Sequence, residues 1–318
     1  MEKMRYIILL LLVTIFSKVN SQTVEKFFDY RWKSCEANEE RFYCIITKTD
    51  SGYNRRDYFI VEKSLQMIGK YTDLHCKVPN GHFKYFHSNG FLESEGVYIN
   101  GKKNGIWLSF HNNGMISDST MYDHGNISGT SLSWHPNGYI SDSTIYNEDG
   151  SGIQVTWFEN GAPSTAGLYS AGRKQSGKWK YFHSNGAISS IEIYDNGTLT
   201  DKTYYDETGK METDTSSKDR DAIFPGGNSA WLDYLFKNAY FPDQYKIANA
   251  DKAVVVVSFA VNENGKVVDV FVSTPFYPEF DTIAKNAVLR SPKWKPAIKH
   301  NRKVKFWMRQ PVTFSQEQ

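Results

Sequence analysis

A ten-residue pattern that begins and ends in glycine occurs five times in the middle of the chain. The copies start at residues 81, 105, 129, 152 and 177, so they are 24, 24, 23 and 25 residues apart. A fixed spacing in this range is typical of stacked supersecondary units, each packed against its neighbours, rather than of one closed core. The pattern therefore directs a search for function to an extended surface instead of a single deep pocket.

Each copy predicts a β-hairpin. The copy ends in Asn-Gly, a pair that tolerates the positive φ angles of tight turns, and a tyrosine follows eight residues later. A second glycine-bearing turn precedes the next copy, so the period is spent on two strands and two turns, without room for an ordinary helix. We expect an elongated antiparallel sheet with an aromatic ladder on one face. The sixth residue of each copy is aromatic: Phe86, Phe110, Trp134, Trp157 and Phe182.

Residues 177–186 and 100–107 resemble the MORN-repeat variant of many bacterial exported proteins, whose pattern is G-x-W-x-x-Y-x-x-N-G-x-x. The resemblance covers roughly residues 57–209. Residues 64–71 look like a degenerate half-repeat, and residues 204–209 look like a truncated cap. Atypical end units are expected, because terminal repeats must meet solvent.

The N-terminus has the composition of a signal peptide. Lys3 and Arg5 precede an apolar run at 7–16, and small or tolerated residues stand before a cut ahead of Gln22. The apolar run is shorter than the about 20 residues that span a bilayer. We therefore expect an exported protein, periplasmic or associated with the outer envelope. The alternative is an uncleaved segment that anchors the chain in the inner membrane.

Charge and cysteine content restrict the partners. Without residues 1–21 the chain has 34 basic and 34 acidic residues (37 − 3 and 35 − 1), which argues against a nucleic-acid partner. An exported chain could join two of Cys35, Cys44 and Cys76 in a disulfide. They could equally be small buried hydrophobic residues.

The sequence divides into five segments. The region before the repeats predicts strands at 41–47 and 57–62, and the polar stretch at 211–221 predicts a linker. We assign a signal peptide (1–21), a lead-in β region (22–63), hairpin repeats (64–209), a linker (210–223) and a C-terminal domain (224–318).

The C-terminal domain has a different pattern from the repeats. Helical spacing of apolar residues and flanking prolines predict helices at 230–241 and 278–290, and apolar runs predict strands at 252–261, 266–273 and 303–314. This helix-then-ββαβ order resembles the C-terminal domain of TonB-type energy transducers. The motifs that carry the resemblance are Tyr-Phe-Pro at 240–242, the segments 255–267 and 280–288, Ser-Pro-Lys-Trp-Lys-Pro-Ala at 291–297, and Gln-Pro-Val-Thr-Phe at 310–314.

The resemblance implies a periplasmic domain that pairs a strand edge with the N-terminal segment of outer-membrane receptors. Here that edge corresponds to Val304–Thr313, with Pro311 limiting its length because proline offers no N–H. The partner would be a protein of the cell envelope, with an outer-membrane receptor as one candidate. The candidate partner-binding residues are Val304, Lys305, Phe306, Trp307, Met308 and Arg309.

Two features depart from a transducer. The chain has a predicted signal peptide in place of a retained membrane helix, and the repeats stand where a proline-rich spacer is usual. We therefore expect a binding protein whose repeat sheet is a spacer or docking face. The alternative is an atypical transducer that supports transport across the outer membrane.

Basic residues are concentrated near the C-terminus, where nine Lys or Arg and no acid lie between 285 and 309. Such a run is either a solvated rim or a patch that contacts an acidic peptide, lipid phosphate or cell-wall polymer. The candidate patch comprises Lys293, Lys295, Lys299, Arg302 and Lys303.

The sequence predicts no catalytic centre, metal or cofactor. Phosphate-loop, G-x-S-x-G and H-E-x-x-H motifs are absent from it. Asp118 and Asp142 recur in identical tetrads, but equivalent positions of successive hairpins lie about 9–10 Å apart. The same spacing keeps the recurring histidines from sharing a metal: His87, His111, His135 and His183. We expect a protein that is not an enzyme, with a cell-wall-acting enzyme as the catalytic alternative.

Overall fold

The structure, a computed structural model, describes residues 23–36, 40–247 and 252–316. The predicted signal peptide lies outside these residues. A fifteen-stranded antiparallel sheet, with its strands in sequence order, is followed by a small α+β domain. This confirms the predicted fold class. Within the described residues, no helix is long and apolar enough to span a membrane.

The fifteen strands of the repeat sheet alternate with short turns. They are β1 (Thr23–Phe28), β2 (Phe42–Thr49), β3 (Gly52–Phe59), β4 (Leu65–Tyr71), β5 (Gly81–Phe86), β6 (Leu92–Ile99), β7 (Lys102–Phe110), β8 (Ile116–Asp123), β9 (Asn126–Trp134), β10 (Ile140–Tyr146), β11 (Gly152–Trp157), β12 (Pro163–Ser170), β13 (Lys174–Phe182), β14 (Ile188–Asp195) and β15 (Thr198–Tyr204). The lead-in region thus continues directly into the repeats as part of one sheet.

The C-terminal domain places two helices on one face of a three-stranded sheet with the order β17-β16-β20. A two-stranded hairpin, β18–β19, was not predicted, and the last strand begins three residues later than expected because of it. The elements are α1 (Gly227–Asn238), β16 (Lys252–Val261), β17 (Val267–Thr274), α2 (Pro278–Leu289), β18 (Ala297–Lys299), β19 (Arg302–Val304) and β20 (Phe306–Ser315).

The Asn-Gly turns differ from the prediction in one respect, because only their glycine has a positive φ. In the first copy Gly90 has a φ of 85°, and its N–H donates to the carbonyl of His87 at 2.9 Å. The Asn89 side chain accepts the N–H two residues further on, which stabilises this wider turn. Two-residue turns with both φ angles positive occur at second turns, as at Asn100 (48°) and Gly101 (82°).

Side chains of the Asn-Gly turns join each repeat to the next. His87 Nε2 donates to the carbonyl of Phe110 at 3.0 Å, and Asn89 Nδ2 donates to the carbonyl of Asn112 at 2.8 Å. Equivalent histidine bonds reach the carbonyls of Trp134, Trp157 and Tyr205 from His111, His135 and His183. The histidines therefore hold neighbouring backbone and do not face one another.

The repeat sheet has two chemically different faces. The tyrosine face carries Tyr98, Tyr122, Tyr146, Tyr169 and Tyr194, with Trp107 in edge contact with Tyr98 at 4.8 Å between ring centroids. The sixth residue of a copy, such as Phe110, is three residues beyond Trp107 and so points to the opposite face. We call this opposite face the aliphatic face, after Ile106, Met121, Ile145, Ile153 and Leu168.

Glycines on the tyrosine face make room for the large aromatic rings. A Cβ built on Gly167 would lie 2.1 Å from the Trp179 ring, and one on Gly96 would lie 2.3 Å from the Trp107 ring. The middle repeats use a different pair at the same place. There Thr144 lies opposite the smaller Gln154 in the ladder. Ring size in one strand is therefore matched to side-chain size in the preceding strand.

Cys44 and Cys76 are not joined by a disulfide. Cys44 is fully buried in the lead-in strands, whereas Cys35 and Cys76 are partly buried. Burial raises the pKa of the Cys44 thiol to about 12. Cys44 therefore packs as a small buried hydrophobic residue, which is one of the two alternatives that the sequence allowed.

The glycine-to-aromatic match predicts a dependence between two substitutions. Gly167→Thr should lower the free energy of unfolding by about 2 kcal/mol, because the new side chain collides with the Trp179 ring. In a Trp179→Gln background, which copies the Thr144 and Gln154 pair, the same change should cost less than about 0.5 kcal/mol. Urea unfolding of the four chains measures the coupling. Equal costs in both backgrounds would show that the two side chains act independently.

Candidate functional site

The C-terminal domain is docked on the repeat sheet through the β18–β19 hairpin. Arg302, at the hairpin, is buried, and its guanidinium donates to the backbone carbonyls of Ser164 and Phe182 and to the Thr165 hydroxyl. Burial lowers the pKa of Arg302 to about 10. Backbone carbonyls from two neighbouring strands therefore hold this cation in place of a carboxylate.

The tip of the same hairpin adds a polar contact with the tyrosine face. The His300 ring stacks on Tyr181 with 3.7 Å between ring centroids, and its Nδ1 lies 3.0 Å from a carboxylate oxygen of the buried Glu192. Asn301 Nδ2 donates to the carbonyl of Tyr205 at 3.1 Å. Hydrogen bonds from His300, Tyr194 and Ser190 hold the pKa of Glu192 below its ordinary value against the opposing effect of burial.

The predicted basic patch is divided by these contacts. Lys299 pairs with Asp221 and Lys303 with Glu207, both at 3.1 Å. Arg302 enters the repeat sheet, so three of the five candidate residues contact groups of this chain. Lys293 and Lys295 are the exposed remainder.

A second docking contact lies at the other end of the domain, where the Arg41 guanidinium sits 4.3 Å from the Phe276 ring centroid. Asp281, in the first turn of α2, accepts the N–H of Phe276 at 2.9 Å. Burial raises the pKa of Asp281 to about 7, and the Glu62 carboxylate acts in the same direction, while Arg41 opposes them. Ser88, in the first Asn-Gly turn, donates to the carbonyl of Val272 at 2.7 Å.

The last strand, β20, has one paired edge and one outer edge. It pairs with β16 over its full length, with Pro311 opposite Val256. Because proline has no N–H, this pair must be of the type that exchanges no hydrogen bonds, so alternate residues direct their backbone away from β16. The outer edge is therefore formed by the N–H and C=O groups of Trp307, Arg309, Thr313 and Ser315, with only the carbonyl at Pro311.

Pro311 divides the outer edge into two halves. Its carbonyl accepts the Gln310 side-chain amide at 2.7 Å, and the Gln310 Oε1 accepts the indole N–H of Trp231 at 2.8 Å. The backbone groups of Thr313 and Ser315 make no backbone hydrogen bond outside the β16 ladder within the described part of the chain. The half that follows Pro311 is thus open to an added strand.

A groove of mixed polar and aromatic lining lies along Thr313 and Ser315. It has a volume of about 570 Å³ and is also lined by Phe236 of α1 and by Tyr240. These two rings are 82% and 64% exposed. Sequence reasoning missed both, since their apolar character fitted the core face of a predicted helix equally well.

The six candidate partner-binding residues occupy three kinds of position. Val304 lies in β19, and its side chain packs against the domain core together with those of Phe306 and Met308. Lys305 forms ion pairs with Glu159 and Asp269.

The other two candidates line separate clefts between the domain and the repeat sheet. Trp307 borders a cleft of about 440 Å³. Arg309 borders one of about 310 Å³ and donates to the Thr274 hydroxyl at 3.2 Å. In the half of β20 before Pro311, the side chains of Trp307 and Arg309 therefore face the repeat sheet.

The aspartates of the tyrosine face are held by hydroxyl and amide groups. Asp118 accepts from Thr120 and Ser133, and Asp142 accepts from Thr144 and Gln154. Burial raises the pKa of Asp142. Within the described ranges, no group of three His, Cys, Asp or Glu side chains is placed to hold a metal ion.

Arg302 makes the docking contact testable. Arg302→Met keeps much of the side-chain volume but leaves the carbonyls of Ser164 and Phe182 without their donor, so docking should weaken by about 3 kcal/mol. Hydrogen exchange of the β12 and β13 amides should accelerate accordingly. Lys303→Met, on the same hairpin but exposed, is the matched control and should leave exchange unchanged. Equal exchange in the two variants would contradict the role given to Arg302.

Asp281 predicts a pH dependence of stability. Its folded pKa of about 7 lies above the ordinary value of 3.8, so the unfolded chain releases this proton first and the free energy of unfolding falls as pH rises from about 4 to 7. Asp281→Asn should remove this fall and be more stable than the wild type at pH 8 by up to about 4 kcal/mol, at about 1.4 kcal/mol for each pKa unit between 3.8 and 7. Urea unfolding at pH 5 and pH 8 measures it, with Glu279→Gln from the same turn as control. If the difference in the free energy of unfolding between Asp281→Asn and the wild type were the same at pH 5 and pH 8, the pKa assigned to Asp281 would be refuted.

Two family models match the chain. The MORN repeat variant matches residues 79–100 and 175–196, and the Gram-negative bacterial TonB protein C-terminal matches residues 237–315. Both resemblances noted in the sequence are thereby confirmed. Most of α1, including Phe236, lies ahead of the second match.

Other comparisons add little. No curated protein matches the chain. Among solved structures, the crystal structure of accessory secretory protein 1,2 and 3 in Streptococcus pneumoniae is similar over 45% of this chain and 22% of that chain, at 10% sequence identity and a TM-score of 0.15. This chain thus matches about a fifth of that one. The two family matches cover two of the repeats and most of the C-terminal domain, and the chain is similar to these families over those segments.

Proposed function

We propose that this chain is an exported, non-catalytic binding protein of the cell envelope. Its C-terminal domain captures an extended segment of an envelope protein by adding that segment as a strand to β20. The observation that carries the proposal is the outer edge at Thr313 and Ser315, which lies beside a groove that exposes the Phe236 and Tyr240 rings. Main-chain hydrogen bonds supply affinity in such strand addition, and pockets for alternate side chains supply selectivity.

Strand addition is proposed at the half of the outer edge of β20 that follows Pro311. Before Pro311, Lys305 is held by Glu159 and Asp269, and Trp307 faces the repeat sheet. After Pro311, two residues with outward backbone groups lie beside open space. The captured segment is therefore short, and side chains rather than a long ladder must supply much of its binding energy.

The groove indicates the side chains that the segment carries. Phe236 and Tyr240 expose most of their rings, and burying an exposed aromatic or aliphatic surface of this size stabilises a complex by about 1.5–3 kcal/mol per side chain. We expect an extended segment with an aromatic or branched aliphatic residue that inserts between these two rings. Asp243 at the same groove favours a basic residue beside it.

The repeat sheet acts in this proposal as a platform that fixes the C-terminal domain. The linker supports this role, because Arg220 and Ile298 exchange backbone hydrogen bonds of 2.9 Å in both directions. Residues 211–221 are thus attached to the β18–β19 hairpin instead of hanging free between the two parts. The groove consequently has a fixed direction relative to the sheet.

Site-specific photocrosslinking tests the proposal. A benzoylphenylalanine placed at Thr313 of the full chain in intact cells should crosslink to an envelope protein, and mass spectrometry should map the adduct to an extended segment. A synthetic peptide of that segment should then bind the purified chain. Thr313→Pro, which removes an outward N–H, and Phe236→Asp should each weaken binding at least tenfold.

Two matched variants control for general damage. Trp307→Pro removes an outward N–H from the other half of β20, and Leu232→Asp changes another exposed residue of α1. Both should bind the peptide as the wild type does. Equal binding by Thr313→Pro and the wild type would refute strand addition at this edge, and crosslinks that map only to folded surface would refute an extended segment.

A further inference from the structure

The aliphatic face exposes a set of large apolar side chains. Its five named members are between 40% and 57% exposed: Ile106, Met121, Ile145, Ile153 and Leu168. Single exposed apolar residues are ordinary, but a contiguous set of this kind marks an interaction surface. The proposed strand-addition site does not use this surface, since its groove lies at α1 and β20.

The strand register makes these side chains contiguous. Ile106 lies opposite Met121, and Ile153 lies opposite both Ile145 and Leu168 in the ladder. A second row runs parallel to the first, two residues along each strand, and contains Leu108, Leu132, Val155 and Ala166, with Ser119 and Ser143 between the first three. The patch therefore spans six strands, β7 to β12, and includes two rows.

In the end repeats, polar side chains occupy the positions that are aliphatic in the middle repeats. The second and fourth residues of the copies are His82 and Lys84 in the first copy and Lys178 and Lys180 in the last. In the three middle copies they are Ile106 and Leu108, Thr130 and Leu132, and Ile153 and Val155. The chain thus folds the same strand with lysine at these positions, so the hairpin itself does not require the aliphatic residues.

The dimensions of the patch fit a second sheet. The patch is six strands wide, at about 4.8 Å between neighbouring strands. Along the strands it has three rows of side chains about 7 Å apart, when the half-buried Trp134 and Trp157 are counted as the third row. Its area is therefore roughly 600 Å² per copy. Two such surfaces in contact bury roughly 1,200 Å², the lower limit for a specific stable interface. The charged end repeats then form the polar rim that surrounds the apolar centre of such an interface.

We propose that the aliphatic face is a homodimer interface, in which the middle repeats of two copies of this chain pack sheet on sheet about a two-fold axis between β9 and β10, near Thr130 and Ile145. A second copy fits because the bulky Leu108, Leu132 and Val155 of the second row recur on every other strand, about 9.6 Å apart. Ser119 and Ser143 lie between them and leave gaps that receive side chains of the partner. A two-fold interface uses the same patch on both copies, as this arrangement does.

Sedimentation and light scattering of the purified full chain test the proposal. The wild type should have twice the mass of one 36.5 kDa chain and should dissociate on dilution. Ile145→Lys combined with Ile153→Lys should raise the dimer dissociation constant at least 100-fold. Because Ile153→Lys reproduces the lysine of the last copy, the variant should keep the circular dichroism spectrum of the wild type.

Matched controls separate this interface from other causes of association. Met211→Lys removes an exposed apolar residue outside the patch and should leave the dimer intact, whereas Lys178→Ile extends the patch and should tighten it. A wild type of single-chain mass at 100 µM overturns the proposal, as does a lysine variant that remains dimeric. Binding of a monomeric wild type to phosphatidylglycerol vesicles through Ile145 and Ile153 would identify a membrane as the occupant and would also overturn it.

Discussion

The hydrogen bonds between successive Asn-Gly turns are the constraint on which the rest of the structure depends. Each histidine or asparagine reaches the backbone of the next turn, as His87 reaches the carbonyl of Phe110. Sheet hydrogen bonds alone would leave the twist between hairpins adjustable. The added bonds align the turns along one edge of the sheet. That edge then offers a fixed surface to the C-terminal domain.

The docked domain shows how a long basic run is accommodated inside one chain. Arg302 is held by backbone carbonyls, and His300 and Lys305 meet Glu192 and Glu159, which are more than a hundred residues away in sequence. Buried charges are retained only where polar groups replace water. The carbonyls that hold Arg302 lie at irregular points of β12 and β13, where the ladder registers shift. The contact therefore sets the orientation of the outer edge of β20.

Local patterns predicted the elements, whereas contacts between distant segments could not be read from them. Alternation and Asn-Gly pairs predicted the hairpins, and helical spacing and Pro278 predicted α2. The β18–β19 hairpin was missed because three-residue strands carry too few positions for a period. One signal was available, since Phe158 breaks the histidine pattern of the turns and lies 5.4 Å from the Arg302 guanidinium. The role of Phe158 could be recognised only once the position of Arg302, far along the chain, was known.

The match between glycine and aromatic ring has a consequence for how such repeats can be copied. Gly96 belongs to the unit that begins at residue 81, and the ring it accommodates, Trp107, belongs to the next unit, which begins at residue 105. A duplication cut at the boundaries of the visible pattern would separate the two and place a ring against a threonine. A cut through the Asn-Gly turns would keep them together. The segment that keeps the glycine and its ring together is therefore the hairpin around the second turn. Its boundaries are offset from those of the ten-residue pattern by which the repeat is recognised.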